Sequence, residues 1–140
     1  MSNKRITLNE AIKFHGHLGP YLVLGLLAGN LAFEKIGFKK YFGIRIKVWG
    51  ASKKPKSCLI DGLQLSSGAT YGKGNIEKLN SSKIKIDFIN EENNKKISFV
   101  FKKPIIKLLQ KVKTHAESEI LAKELYKTNL SEIFNIASIN

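Results

Sequence analysis

The sequence predicts an α+β fold, with an antiparallel sheet of at least three strands packed against a glycine-containing N-terminal helix and C-terminal helices. Three observations carry this. Ile44, Ile46 and Val48 alternate with Arg45, Lys47 and Trp49, the two-residue period of a strand with one buried face. Residues 83–89 and 96–101 are strand-like and flank a polar stretch over 90–95, the pattern of a hairpin. Segments of helical period lie on both sides of these strands without repeated strand–helix–strand units, which places the chain in the α+β class.

Each element has a local reason. Thr7-Leu8-Asn9-Glu10 reads as a capping box, with Thr7 bonding forward and Glu10 bonding back. A short helix is expected from there to about Lys13, closed by the loop Phe14-His15-Gly16-His17. Pro20 suits the first turn of a second helix, which is expected to run to Ile36 and stop at Gly37. Gly25 and Gly29 stand four apart on one face of it. They lower helix propensity, so close backbone packing is the expected compensation. Ala51 to Ser57, with Pro55, reads as a loop, and Cys58 to Leu65 as a helix with Cys58, Asp61 and Gln64 on one face. A glycine-rich loop, Ser66 to Asn75, precedes the hairpin. Pro104 opens a helix with Ile105, Leu108, Leu109 and Val112 at helical spacing. Thr114-His115-Ala116-Glu117 is a second capping box, either starting a further helix or lying inside one long helix.

The 140 residues suit one domain, 1–140. Apolar residues make up 43 %, enough for a packed core. The longest apolar stretch, Leu18 to Phe33, is interrupted by Gly19, Pro20, Gly25, Gly29 and Asn30. It falls short of a membrane span of about 18–20 apolar residues and reads as a buried helix. Residues 1–10 lack the apolar core of an export signal. A single cysteine excludes an intramolecular disulfide and fits a reducing compartment, so a cytoplasmic location is expected.

The formal charge is +13, from 24 basic residues of which Arg5 and Arg45 are the arginines. Such a charge attracts polyanions. Yet arginine is the usual reader of guanine edges, and the lysines are spread along the chain, so a solvated lysine-rich surface is expected. A nucleic-acid-binding module rests on charge alone. Trp49 and the pairs Tyr41-Phe42 and Phe99/Phe101 are expected to pack in the core rather than stack on bases. His115, at the start of a helix, is expected on the surface.

The chemistry concentrates in two stretches. In an extended segment the rings of His15 and His17 face one side, and Gly16 between them lets the backbone bend. Neutral imidazole ligates zinc, nickel, copper or iron, although two histidines in a loop also arise without any metal. Cys58 follows a lysine-rich turn at the start of a helix. Lys53, Lys54, Lys56 and the helix terminus are expected to favour its thiolate, the form that binds metal or attacks an electrophile. Asp61, one turn on, suits a ligand, a carboxylate orienting a histidine, or a general base. The loop Gly68 to Asn75 departs from a phosphate-binding P-loop, with three residues rather than four before Gly72-Lys73. Its glycines still allow backbone amides around Gly72, Lys73, Gly74 and Asn75 to converge on an anion.

Together, FHGHLGPYLVLG and SCLIDGLQLSSGATYGKGN resemble the E-subunit family of formylmethanofuran dehydrogenase in order and spacing, and the resemblance covers most of the chain. His15 and His17 match the histidines of that family's first element. Cys58, Asp61 and Gln64 match its second, and Thr70, Gly72, Lys73, Gly74 and Asn75 its glycine-rich loop. The resemblance implies an α+β homodimer that binds zinc or another divalent transition metal. No cysteine pairs follow Gln110, so the zinc-ribbon-like tail of some members is not expected. Gly19 and Ala69 stand where many members have cysteines.

Three functions follow as expectations. The first is a cytoplasmic metal-binding protein with His15, His17 and Cys58 as ligands, accessory or stand-alone. It is not itself the redox catalyst, because one cysteine cannot hold an iron–sulfur cluster. A small anionic ligand or an acidic partner protein would suit its surface. The second is an enzyme with Cys58 as nucleophile, Asp61 or a histidine as base, and a Lys73/backbone anion pocket. The third is the nucleic-acid-binding module.

Overall fold

The computed structural model describes residues 5–139. Residues 1–4, the start of the segment read above for an export signal, and residue 140 lie outside them. The chain runs α1 (Leu8–His15), α2 (Pro20–Ile36), β1 (Ile44–Trp49), α3 (Cys58–Ser67), β2 (Ile76–Leu79), β3 (Lys85–Asn90) and β4 (Lys96–Phe101). It continues through α4 (Lys103–Lys111), α5 (His115–Lys127), α6 (Leu130–Ile133) and β5 (Phe134–Ile139).

The five strands form one sheet in the order β2-β1-β3-β4-β5. All neighbours are antiparallel except β1 and β2, which run parallel with Ile46 opposite Ile76. The expected α+β class, the hairpin and the β1 alternation are all present. Ile44, Ile46 and Val48 are buried and their neighbours half-buried, as the two-residue period requires. Two strands escaped the sequence reading. β2 is four residues long, and β5 follows α6 directly, with no turn residues to announce it.

α2 is the central helix. It spans 17 residues and buries Leu22, Val23, Leu24, Leu26, Ala28, Leu31 and Ala32. Apolar side chains surround it because the sheet, α3 and α5 each cover a part of it. It ends at Gly37, whose φ of 57° is left-handed. Among the described residues, no helix is long and apolar enough to cross a membrane.

α2 and α3 meet backbone to backbone. A Cβ on Gly25 would stand 2.4 Å from the Leu59 carbonyl oxygen, and one on Gly62 would stand 2.3 Å from that of Leu22. Farther along, Gly29 lies against Ser66, whose hydroxyl donates to the Gly25 carbonyl at 3.1 Å. Contacts therefore advance together along both helices, which run parallel and bring their N-termini to one end of the molecule. This is the close packing that the Gly25/Gly29 spacing predicts.

Both capping boxes form, at Thr7/Glu10 and Thr114/Glu117. Thr114 starts a separate helix, α5, and α1 extends two residues beyond Lys13 to His15. Phe99 and Phe101 are buried as expected. Tyr41 and Phe42 are not: they are 46 % and 81 % exposed, in the turn that enters β1. The expectation failed because an aromatic pair beside a strand carries no period that says which side it faces. Trp49 is half-buried, beneath the Lys85 ammonium at 5.0 Å from its ring centre.

Candidate metal centre

His15 is the last residue of α1, and Gly16 caps the helix at φ 103°. That left-handed step, open to glycine at little cost, turns the chain so that His17 comes back beside His15. The ring centres are 4.6 Å apart. The two histidines thus meet through a helix terminus and a reversal, not through the extended segment expected from their spacing.

Cys58 opens α3, and Asp61 one turn later reaches the other face of the His15 ring. Asp61 Oδ2 lies 2.5 Å from His15 Nδ1. A carboxylate there accepts the Nδ1 proton, which leaves the lone pair on Nε2. Of the three roles open to Asp61, this geometry matches the orienting carboxylate. The His15 side chain is 8 % exposed. Among the described residues, its Nε2 is the one buried side-chain nitrogen or oxygen without a hydrogen-bond partner. A buried, unpaired acceptor is costly and calls for an explanation.

The donor atoms of His15, His17 and Cys58 all lie within 4.8 Å of one another. Donors that share a tetrahedral zinc at about 2.0–2.3 Å stand roughly 3.3–3.7 Å apart, so about 1 Å of side-chain movement closes the set. Two imidazoles and a thiolate suit a borderline-soft ion. The buried, partnerless Nε2 is then accounted for as a ligand atom. The residues fit the metal.

One expectation about Cys58 reverses. Its thiol is pushed up from the ordinary value by burial and then by the negative charge of Asp61, against the weaker pull of Lys54. The lysine-rich turn does not make it a ready thiolate, because Lys53, Lys54 and Lys56 are exposed to water, which screens them.

Further residues surround this centre. His115, at the exposed start of α5, has its ring centre 5.8 Å from that of His17 and its Nε2 3.2 Å from Glu119. A Cβ on Gly19 would meet His17 Cε1 at 3.3 Å and Ser118 Oγ at 3.9 Å. The first turn of α5 was not legible as part of the site, since it comes there through the packing of α5 on α2. Of the two positions where relatives carry cysteines, Gly19 lies at the cluster. Ala69 is buried beyond the other end of α3, about 15 Å along a ten-residue helix.

The glycine-rich loop also lies at that far end, and α3 separates Gly72, Lys73, Gly74 and Asn75 from Cys58. Its polar groups bind one another and the sheet. The Asn75 amide donates to the carbonyls of Tyr41 (2.7 Å) and Ile44 (3.1 Å) and accepts from the Thr70 amide (2.9 Å). Lys73 Nζ donates to the Gly68 carbonyl at 2.7 Å, and the Tyr71 amide donates to Gln64 Oε1 at 3.1 Å. These bonds tie the end of α3 to the entry of β1 and set β2 beside it.

Comparison with known proteins is consistent with this arrangement. The model of the family described as "FmdE, Molybdenum formylmethanofuran dehydrogenase operon" matches residues 14–138. A "Probable S-adenosyl-L-methionine-binding protein" of Archaeoglobus fulgidus is 30 % identical over 132 residues. That alignment takes in 84 % of this chain and 35 % of the relative, so the chain spans about a third of that protein's length. A crystal structure of an FmdE-like protein of tungsten formylmethanofuran dehydrogenase, from Syntrophus aciditrophicus, superposes with a TM-score of 0.65 at 19 % identity. It covers 93 % of this chain and 68 % of that one, and it establishes the shared fold.

Proposed function

The chain belongs to the FmdE family, and from that premise we propose that it is a metal-binding protein whose ion is held by His15, His17 and Cys58. The observation that carries this reading is the Nε2 of His15, buried and without a partner while Asp61 occupies Nδ1. Zinc is the ion the donor set suits best, with another divalent transition metal as the alternative. Three protein ligands leave one position open, the pattern of a site that acts on a ligand rather than one that only braces a fold.

The residues divide the work. His15 supplies a fixed imidazole, since its ring is held between Asp61 and the buried floor of the site. His17 is exposed and faces the open side. Cys58 gives up its proton on binding, and its raised pKa makes that step easier with the ion than without it. A bound ion of this kind polarises a coordinated oxygen or lowers the pKa of bound water.

The protein serves as an accessory or stand-alone member of the family and not as the redox catalyst. One cysteine cannot supply the several thiolates that hold an iron–sulfur cluster. The homodimer and the cytoplasmic setting belong to the same reading, and the unpaired Cys58 suits a reducing compartment.

Cobalt(II) titration of protein prepared without a histidine tag tests the reading. The expected result is one ion per chain with a thiolate-to-cobalt charge-transfer band that Cys58→Ser abolishes. Absence of the band from folded wild-type protein would overturn it.

A further inference from the structure

We infer that the open side of the His15–His17–Cys58 cluster heads a two-chamber cleft shaped for an elongated anion, with a metal-binding head, an apolar middle and an anionic tail. The inference rests on the proposed metal function for the head alone.

The inner chamber, about 120 Å³, is lined by His17, Gly19 and Cys58 on one side and by Tyr21, Leu109 and Val112 on the other. The outer chamber, about 630 Å³, shares Tyr21 and Leu109 with it as walls, so the two adjoin. That volume lies within the range of roughly 300–1,000 Å³ typical of small-molecule sites. Ile84, Phe101 and Ile106 give the outer chamber an apolar lining, and Lys56, Lys83 and Lys103 bring three ammonium groups.

Two features separate this cleft from the general lysine-rich surface. Neither chamber is lined by an acidic side chain. None of the three lysines forms an ion pair among the described residues, whereas Lys39, Lys85 and Lys96 each lie beside a carboxylate. Val100 and Ile106 in the outer chamber are 39 % and 38 % exposed, apolar surface that a ligand would cover. Apolar walls with a few converging charges are what a small-molecule site needs, the walls for affinity and the charges for orientation. Three unpaired cations of one sign select an anionic tail.

The probe is ω-mercaptohexanoate, whose thiol suits the ion and whose carboxylate suits the lysines. Its neutral analogue mercaptohexanol and the thiol-free hexanoate serve as controls. Titration calorimetry at low salt on zinc-loaded protein is expected to rank mercaptohexanoate above both. The double variant Lys83→Gln/Lys103→Gln is expected to weaken both carboxylates about three- to tenfold, leaving mercaptohexanol and the metal content unchanged. Equal affinity for mercaptohexanoate and mercaptohexanol would overturn the cleft, as would carboxylate binding indifferent to both lysines. If the protein holds no metal, the proposed function fails separately. Hexanoate binding that still depends on Lys83 and Lys103 would then support the cleft, and hexanoate binding indifferent to them would overturn it.

Discussion

The carboxylate of Asp61 lies 2.5 Å from Nδ1 of His15, joining residues that are 46 positions apart in the chain. The pair fixes the ring and leaves Nε2 as the buried atom without a partner. Replacing Asp61 by Asn removes the charge and keeps the shape. Losing such an outer partner typically costs 10–100-fold in metal affinity. Competition with a chelator is expected to show a loss of about that size in Asp61→Asn with the fold unchanged. Unaltered affinity would mean that Asp61 does not orient the ligand.

Cys58 gives a prediction with a definite sign. Its thiol is raised by burial and by Asp61, so less thiolate is present at a given pH than in a free thiol. The pH–rate profile of alkylation by iodoacetamide is expected to have its midpoint above the ordinary thiol range in metal-free protein. Asp61→Asn should bring that midpoint down, and bound zinc should block the reaction. A midpoint below the ordinary range would restore the picture of an activated nucleophile.

Gly62 tests the helix crossing. Alanine gains up to about 1 kcal/mol in helix propensity over glycine. Its Cβ would stand 2.3 Å from the Leu22 carbonyl oxygen, and forced overpacking costs about 1–3 kcal/mol. The crossing is backbone against backbone, so nothing rotates away and the cost is expected to win. Urea denaturation of Gly62→Ala should show net destabilisation, and metal affinity should fall with it, because the crossing aligns the two helix starts that carry the site. Net stabilisation would mean that the helices can part freely.

Gly19 offers the opposite change. Its φ of −144° is open to any residue, and a Cβ there would point at the His17 ring. Gly19→Cys is expected to supply a fourth ligand and tighten zinc binding, while weakening mercaptohexanoate by closing the open position. Chelator competition and calorimetry on one preparation read both effects. Tighter zinc with unchanged thiol binding would place the open position elsewhere.

Much of this molecule was legible in its residues. Caps, alternation and glycine spacing located α1, α2, β1, α3 and the hairpin, because each is set by local rules. His15, His17 and Cys58 were readable as one set from their types and their order in the chain. What stayed hidden depends on packing between distant segments. β2 is too short to show a period, and the cleft walls at Leu109, Val112 and Ser118 reach the centre through α4 and α5. The state of Cys58 was misjudged because three nearby lysines were counted as if buried, when they stand in water and the carboxylate of Asp61 stands closer to the thiol. Tyr41 and Phe42 were misplaced because apolar character alone does not say which side of a turn faces inward.

The most direct measurement is an anomalous difference map at the zinc edge from crystals of zinc-supplemented protein. The expected result is one peak per chain, bounded by His15 Nε2, a ring nitrogen of His17 and Cys58 Sγ, with Asp61 still on His15 Nδ1. A map without a peak between these three residues, or with its peak ligated elsewhere, would contradict the proposed function.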